Sequence, residues 1–222
     1  RRYRFGQQPN IALWNLARLG EALSPLIDTP DDLHRGLEAY RDTFDVIYGG
    51  MLREKLGLDR LDTTSDDPLL AELFALLEAT ETDMTLFFRN LAHVPVTESA
   101  DDEARLAPLR IAFYEEQVLE GPHRARLLAW LRDYATRVRG EGRPEGERIA
   151  RMHRSNPKYV LRNYLAQQAI DAAAQGDPSV IARLLRVLSR PYDDQPGEDD
   201  LAQRRPEWAR HRAGCSMLSC SS

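Results

Sequence analysis

The chain has 222 residues, 42% of them hydrophobic and 29% charged, which is enough apolar content for the core of one large domain or two small ones. Its net charge of −5 gives no electrostatic indication of nucleic-acid binding, and no run of about 18 apolar residues predicts a membrane-spanning helix. Both of its two cysteines lie in the last eight residues, which excludes a disulfide-stapled scaffold and indicates a cytoplasmic type of protein.

The N-terminal part of the chain predicts two helices. Residues 10–23 have only a narrow polar stripe, so we expect a helix that is covered on most sides and lies centrally in a domain. Residues 29–32 combine a capping threonine, a proline and two aspartates, which is typical of a helix start. That helix is predicted to run to about Tyr48, to be interrupted at Gly49-Gly50 and to continue after a kink over residues 51–56.

The middle of the chain predicts further helices. They are predicted to begin at Asp67-Pro68 and at Thr82 or Asp83, and to span residues 104–119 and 124–139. Pro108 is unfavourable in the first turns of the helix predicted over residues 104–119. Residues 140–146 are predicted to form a charged loop. Because no segment of any length shows the alternation typical of a strand, the sequence predicts an all-α, mainly helical fold.

The stretch from Asn156 to Ile170, NPKYVLRNYLAQQAI, predicts the first helix of a helical hairpin. Asn156 is a good N-cap, and Pro157 suits the first helical position because no N–H is needed there. Gly176 is expected to end this helix, and residues 177–188 predict the second one. The apolar stripe of the first helix consists of Leu161, Tyr164, Leu165, Ala169 and Ala172.

The chain changes character after Leu188. Residues 190–200 are rich in proline and acidic residues, which predicts an irregular segment on the surface. Trp208 is expected to pin the following tail to the body from a single helical turn, and the last eight residues are expected to be flexible. We therefore divide the chain into a helical body, residues 1–188, and an irregular tail, residues 189–222.

The sequence offers no constellation of residues that predicts catalysis. It has no glycine-rich phosphate loop, and its five histidines form neither an HExxH motif nor a cluster with metal-ligand spacing. Its paired carboxylates are explained by helix caps and solvated helix faces. We accordingly assign no catalytic, nucleotide-binding or metal-binding residue within the chain.

Basic residues are concentrated in one region. Residues 124–162 contain eleven Lys or Arg but only four Asp or Glu. These side chains are either solvated, with their aliphatic stems covering apolar surface, or form a patch that binds phosphate or an acidic partner. Interleaved aromatic residues are sparse, which argues against binding of single-stranded nucleic acid.

Several separated blocks of the sequence resemble one known family. They are RRYRFGQQPNIALWNLARL at Arg1–Leu19, NPKYVLRNYLAQQAI from Asn156, RPYDDQPGEDD from Arg190, PEWARHR from Pro206 and the ending CSMLSCSS. In this order they resemble the C-terminal half of selenoprotein O, a family of protein adenylyltransferases with a pseudokinase fold. The family commonly has Gly where Arg1 stands and often Asn where Gln7 stands, which affects mainly the boundary of the match.

The resemblance implies a protein-kinase-like fold whose helical C-terminal part is this chain. It implies an enzyme that transfers AMP from ATP to Ser, Thr or Tyr of protein substrates with Mg or Mn. The residues that bind ATP and the metal are then expected upstream of Arg1, so this chain alone is expected to be inactive and to bind no cofactor. The alternative is a stand-alone helical module that recruits an acidic partner through residues 124–162.

The resemblance also bears on the C-terminal cysteines. As sequence, Cys220 is either an incidental surface thiol or one open to oxidation, and nothing holds the turn that a bond to Cys215 would need. The family has Cys or selenocysteine third from the end, where Cys220 stands. The resemblance therefore implies that Cys220 is a redox residue, with a partner cysteine upstream of Arg1, and that it is a free thiol in this chain.

The start of the chain carries a further expectation. It lacks an initiator methionine, so we expect it to be part of a longer protein. Without the upstream polypeptide the apolar helix over residues 10–23 is expected to be partly uncovered, and such apolar patches drive association. We therefore expect the 222-residue chain to dimerise or aggregate.

Overall fold

The structure, a computed structural model, describes residues 5–27, 29–61 and 67–215, and most of these residues are helical. Within these ranges it contains nine α-helices and no β-strand, and the one isolated antiparallel bridge joins Thr82 to Phe113. The predicted all-α fold is therefore confirmed.

The α-helices have the following bounds. They are α1 Gln8–Leu23, α2 Pro30–Leu56, α3 Pro68–Ala79, α4 Met84–Leu91, α5 Asp102–Leu106, α6 Gly121–Glu141, α7 Glu145–Ser155, α8 Asn163–Ala174 and α9 Ser179–Leu188. Short 3-10 turns lie at Phe5–Gln7, Ser24–Leu26, Ala107–Ala112, Glu116–Leu119, Asp199–Ala202 and Glu207–Ala209. The last of these is the single turn that was predicted to carry Trp208.

Helix starts follow the local capping chemistry where an aspartate precedes the helix. The Asp67 side chain accepts the N–H of Leu69 at 2.9 Å, and the Asp83 side chain accepts the N–H of Leu86 at 3.1 Å. Each aspartate satisfies a backbone donor that has no partner inside the helix. The predicted starts of α3 and α4 are thereby confirmed.

The main core lies between the C-terminal end of α2 and helices α3, α4, α6 and α7. The rings of Trp130 and Tyr134 stack at its centre, with their centroids 5.3 Å apart. Trp130 Nε1 donates to the Leu69 carbonyl oxygen, and the Tyr134 hydroxyl donates to the Leu56 carbonyl oxygen, both at 2.8 Å. These two bonds satisfy the buried polar atoms of the aromatic pair and tie α6 to α3 and α2.

A second apolar cluster, the C-terminal core, is built from α8, α9 and the chain that follows them. Its buried members include Tyr159, Tyr164, Leu165, Leu184, Val187, Leu201, Ala209 and Cys215. Residues on both sides of position 188 thus pack into one cluster. The division into residues 1–188 and 189–222 stays a prediction.

Three stretches of the main body differ from the sequence-based prediction in their helix bounds. Helix α2 continues without interruption through Gly49-Gly50, because Gly49 is buried where the helix enters the main core and packing outweighs the low helix propensity of glycine. Residues 104–119 form no continuous helix: α5 ends at Leu106, and a 3-10 turn containing Pro108 follows. Helix α7 was missed, because its start lies inside the predicted loop 140–146.

Helix α1 is exposed, contrary to the prediction that it is covered on most sides. It buries none of its residues, and Trp14 and Leu19 remain 47% and 53% exposed. Its main contacts are with α2 and the flanking 3-10 turns. The apolar composition predicted a covered helix, but the described residues do not provide that cover.

A pair of glycines offers a direct test of the packing around α2. Gly57 and Gly142 both follow a helix with positive φ, 66° and 69°. A Cβ on Gly57 would lie 2.7 Å from Met152 Sδ and 2.9 Å from Arg148 Cγ, whereas a Cβ on Gly142 would meet nothing within 4 Å. We expect Gly57→Ala to lower the free energy of unfolding by about 2–4 kcal/mol and Gly142→Ala by about 1 kcal/mol.

Urea unfolding followed by circular dichroism measures both losses. Equal losses for the two variants would show that the space around Gly57 is not restrictive.

Candidate functional site at the junction of the two cores

The segment between α7 and α8, residues 156–162, crosses between the two cores. The predicted helix start at Asn156-Pro157 is wrong: Asn156 ends α7, and α8 begins only at Asn163. The backbone N–H groups of Lys158 and Tyr159 both donate to the Pro191 carbonyl oxygen, at 2.8 and 3.1 Å. Because these donors find a partner in the tail, the segment stays extended.

The rest of the predicted hairpin is largely confirmed. Gly176 has a φ of 84° and follows α8, and α9 ends at Leu188 as predicted. Tyr164, Leu165 and Ala169 are buried along one face of α8. Leu161 precedes the helix and is 57% exposed, and Ala172 is only partly buried.

Asn156 holds the end of α2 rather than the start of a helix. It is only 1% exposed, its Nδ2 donates to the Lys55 carbonyl oxygen at 2.8 Å, and its Oδ1 accepts from Lys55 Nζ at 2.9 Å. Burial lowers the pKa of Lys55, and its ammonium group lies 4.8 Å from the ring centroid of Phe88. One side chain therefore fixes both the backbone and the cation at the end of α2.

Arg89, on the inner face of α4, connects three further parts of the chain. Its side chain is 9% exposed. Its Nη1 donates to the carbonyl oxygens of His153, Asn156 and Tyr192, at 3.1, 3.0 and 3.2 Å. Burial lowers the pKa of Arg89, and the carboxylate of Asp194, 3.5 Å from Nη2, opposes this effect. The guanidinium thus positions the end of α7 and the tail against α4.

Asp83 and Arg162 form the most buried ion pair at the junction. Nη1 and Nη2 of Arg162 donate to the two carboxylate oxygens of Asp83, at 2.5 and 3.0 Å, and the side chains are 13% and 3% exposed. The same carboxylate caps α4 and accepts from the Tyr114 hydroxyl at 3.4 Å. Such a bidentate, buried pair fixes orientation as well as distance.

The tail, over residues 203–212, forms a strap that returns to the main body. Glu81 accepts from Arg205 and Arg210, both at 2.6 Å, and Arg204 donates to the Phe113 carbonyl oxygen. Tyr114 accepts the N–H of Arg205 at 3.1 Å through its hydroxyl. These contacts attach the C-terminal core to the turn before α4 and to the chain after α5.

The acidic segment 190–200 is irregular, as predicted, but its carboxylates are engaged. Lys158 Nζ contacts Asp194 at 3.0 Å and Asp199 at 2.8 Å. Partial burial acts to lower the pKa of Lys158, and the two carboxylates outweigh it and raise the pKa. Glu198 accepts from Arg183 and Arg186 of α9, at 2.7 and 2.6 Å. The segment is therefore held against the C-terminal core by ion pairs.

Two histidines that the sequence did not connect meet beside Arg89. The Nε2 atoms of His93 and His153 lie 3.2 Å apart. Burial, with the neighbouring Arg89, lowers the pKa of His153 to about 4 and also lowers that of His93. Both rings are then neutral at pH 7, and one donates an N–H to the other. Among the described residues no group of three or more His, Cys, Asp or Glu side chains has the arrangement of a metal site.

The basic residues between positions 124 and 162 are mostly neutralised by partners within the chain. Eight of the eleven have a carboxylate within ion-pair distance, and Arg139 and Arg148 donate to the carbonyl oxygens of Val96 and Ala92. The eight are Arg124, Arg126, Arg132, Arg137, Arg143, Arg151, Lys158 and Arg162. The region is a network of internal ion pairs and offers little free cationic charge to an acidic partner.

Only one of the two cysteines lies among the described residues. Cys220, the predicted redox residue, lies outside the described residues. Cys215 is a free thiol that is 5% exposed within the C-terminal core.

Sequence reasoning did not predict that Lys55, Asp83 and Arg89 lie together at the junction. Their partners Asn156, Arg162 and Tyr192 are each 79 or more positions away in the chain. One local signal was available. Arg89 follows Phe87 and Phe88 and precedes Leu91 in a short apolar helix, which places its charge on a buried face.

The Asp83–Arg162 pair yields a test with a matched control. Arg162→Ala leaves the Asp83 carboxylate buried without its main partner, so we expect the free energy of unfolding to fall by about 3–5 kcal/mol. Arg132→Ala removes an ion pair of similar length, 2.8 Å to Asp102, but its side chains are 52% and 37% exposed. We expect that variant to lose at most about 1 kcal/mol in the same urea titration.

Similar losses in the two variants would contradict the importance that we give to the buried pair.

Comparison with known proteins gives matches over most or all of the chain. The family model described as "Protein adenylyltransferase SelO" matches residues 1–189. A protein nucleotidyltransferase YdiU from Nitrosospira multiformis is 50% identical over 242 residues, covering 100% of this chain and 43% of the relative. Proteins of the same name from Rhodopirellula baltica and Xanthomonas axonopodis pv. citri are 47% and 50% identical, and the chain covers 43% and 42% of them.

The chain therefore spans less than half the length of the curated relatives that it matches. In the described ranges, none of the helices combines the length and apolar character needed to cross a membrane.

Proposed function

Because the chain belongs to the protein adenylyltransferase SelO family, we propose that it is the helical C-terminal part of an enzyme that transfers AMP from ATP to Ser, Thr or Tyr of protein substrates. The observation that carries this proposal is the family match over residues 1–189, together with relatives named as nucleotidyltransferases that match the whole chain. In this reaction the hydroxyl oxygen bonds to the α-phosphorus of ATP and pyrophosphate leaves. The kinase-like fold of the intact protein is part of the same proposal.

We place the residues that bind ATP and Mg or Mn in the part of the family polypeptide outside these 222 residues. The sequence has no glycine-rich phosphate loop, and the described residues include no group of three or more side chains arranged to hold a metal. The carboxylates near the junction are already paired with Arg or Lys, which makes them poor candidates for metal ligands. When bound, the metal would neutralise phosphate charge in the transferred group.

The role of this chain is then architectural. Asn156, Arg89 and the Asp83–Arg162 pair hold α2, α4, α7 and the tail in one arrangement. A rigid support of this kind fixes the position of residues attached to it, which is what phosphoryl-group transfer requires of the surrounding protein. The alternative function, recruitment of an acidic partner by residues 124–162, has less support because most of those cations have internal partners.

AMP transfer can be tested with ATP labelled on the α-phosphate. We expect the intact Nitrosospira relative to label protein hydroxyls in the presence of Mg or Mn, and the purified 222-residue chain to give only background labelling. Labelling by the chain alone would overturn our placement of the active site. A lack of labelling by the intact relative, with several protein mixtures as acceptors, would contradict the proposed reaction.

We further propose that Cys220 is a redox residue of the intact protein. The burial of Cys215 supports this assignment, since a Cys215–Cys220 bond would require the Cys215 thiol to leave its place in the C-terminal core. A thiol must be accessible to solvent to take part in thiol–disulfide exchange, and the Cys215 thiol is buried. Of the two cysteines of the chain, we therefore assign the redox role to Cys220.

Thiol titration of the folded chain distinguishes the two cysteines. We expect one rapid and one slow reaction, with the slow one at least about 100-fold slower because Cys215 must first be exposed by local unfolding. Cys220→Ser should remove the rapid phase, and Cys215→Ser should remove the slow phase. A Cys215–Cys220 disulfide that persists in mild reductant would contradict the assignment.

A further inference from the structure

Helix α1 and the first two thirds of α2 form a hairpin that stands away from the main core. Among the residues of α1 and α2 whose burial is described, none before Gly49 is buried. The C-terminal end of α2, by contrast, packs against α4 and α7. The hairpin is therefore anchored at one end and has apolar side chains along the rest of its length.

Two adjoining apolar grooves run along this hairpin. The first, of about 470 Å³, is lined by residues 16–24 of α1 and its following turn and by residues 32–37 of α2. The second, of about 510 Å³, is lined by residues 36–51 of α2. Gly36 lines both, so the apolar surface is continuous from Asp32 to Met51, a length of roughly 28 Å at 1.5 Å per helical residue.

Stacked aromatic rings line the second groove. The rings of Tyr40, Phe44 and Tyr48 stack in a row, with centroids 6.1 and 5.3 Å apart. Beside them Ile47 and Met51 remain 56% and 57% exposed. Stacked rings lose little conformational freedom when they are covered, so covering this surface has a small entropic cost.

The length and shape of the surface fit a helix. An elongated apolar groove between or along helices accepts the apolar face of another helix, with contacts repeated every three or four residues. A 28 Å groove would contact about 19 residues of such a helix. An exposed apolar surface of this extent marks an interaction site.

The family comparison favours a helix of the same polypeptide as the occupant of this surface. The chain covers 43% of the Nitrosospira relative, so more than half of the family polypeptide lies outside the aligned residues. A segment of the same polypeptide is present at an effective concentration in the millimolar range, far above that of a second copy in a dilute solution. We propose that the groove over residues 32–51 is the docking surface for a helix from that remaining part of the family polypeptide. The proposal does not depend on AMP transfer.

Chemical labelling of introduced cysteines tests the proposal. In a Cys220→Ser background, Ile47→Cys reports on the groove and Leu185→Cys, at a 68% exposed position on α9, serves as the control. The same two positions, located by alignment, are changed to cysteine in the intact Nitrosospira relative, and labelling is read site by site by mass spectrometry. We expect rapid labelling of both positions in the 222-residue chain. In the intact relative, labelling at the position of Ile47 should be at least tenfold slower, with the control unchanged.

A second groove position, Leu19→Cys, repeats the measurement from α1 and should behave as Ile47→Cys does. Equally rapid labelling of both groove positions in the monomeric intact relative would overturn the proposal. The 222-residue chain is labelled at a dilution at which light scattering shows monomers, because its uncovered apolar surface is expected to associate at higher concentration. Protection of the groove in the intact relative that is lost when its dimers dissociate on dilution would assign the groove to a second copy and would also overturn the proposal.

Discussion

The guanidinium group of Arg89 is the contact on which the arrangement of the C-terminal half depends. It donates to the carbonyl oxygens of His153, Asn156 and Tyr192, which lie where the main core meets the C-terminal core. A buried cation is costly unless its donors are satisfied, and here backbone acceptors and the nearby Asp194 satisfy them. Because each carbonyl direction is set by its own backbone, one side chain specifies the positions of α4, the end of α7 and the tail together.

The two apolar cores are joined by directional polar contacts, and this gives the junction properties that apolar packing lacks. The hydrophobic effect is non-directional, whereas the bidentate pair of Asp83 and Arg162 adds geometric specificity to the contact. The contacts of Glu81 with Arg205 and Arg210 are more exposed and are screened by salt. Salt therefore weakens the attachment of the strap before it affects the buried pair.

The sequence predicted those features whose cause lies within a few residues. Asp67 and Asp83 were identified as helix starts because a cap and its backbone donor are two or three positions apart. The same local pattern at Asn156-Pro157 predicted a helix start and was wrong. The acceptor that keeps the segment extended is the Pro191 carbonyl oxygen, which is distant in sequence from the donors Lys158 and Tyr159. For α1 the prediction of a covered helix fails within the described residues, because composition carries no information about which segment, if any, packs on an apolar face.

The three tryptophans of the chain lie in three different packing environments. Trp14 is on the hairpin, Trp130 is 2% exposed in the main core, and Trp208 packs edge-to-face on Tyr164 beside the C-terminal core. Each region thus has its own indole fluorophore. Variants that keep one tryptophan at a time would resolve, by emission alone, whether the hairpin, the main core and the C-terminal core unfold together or in sequence.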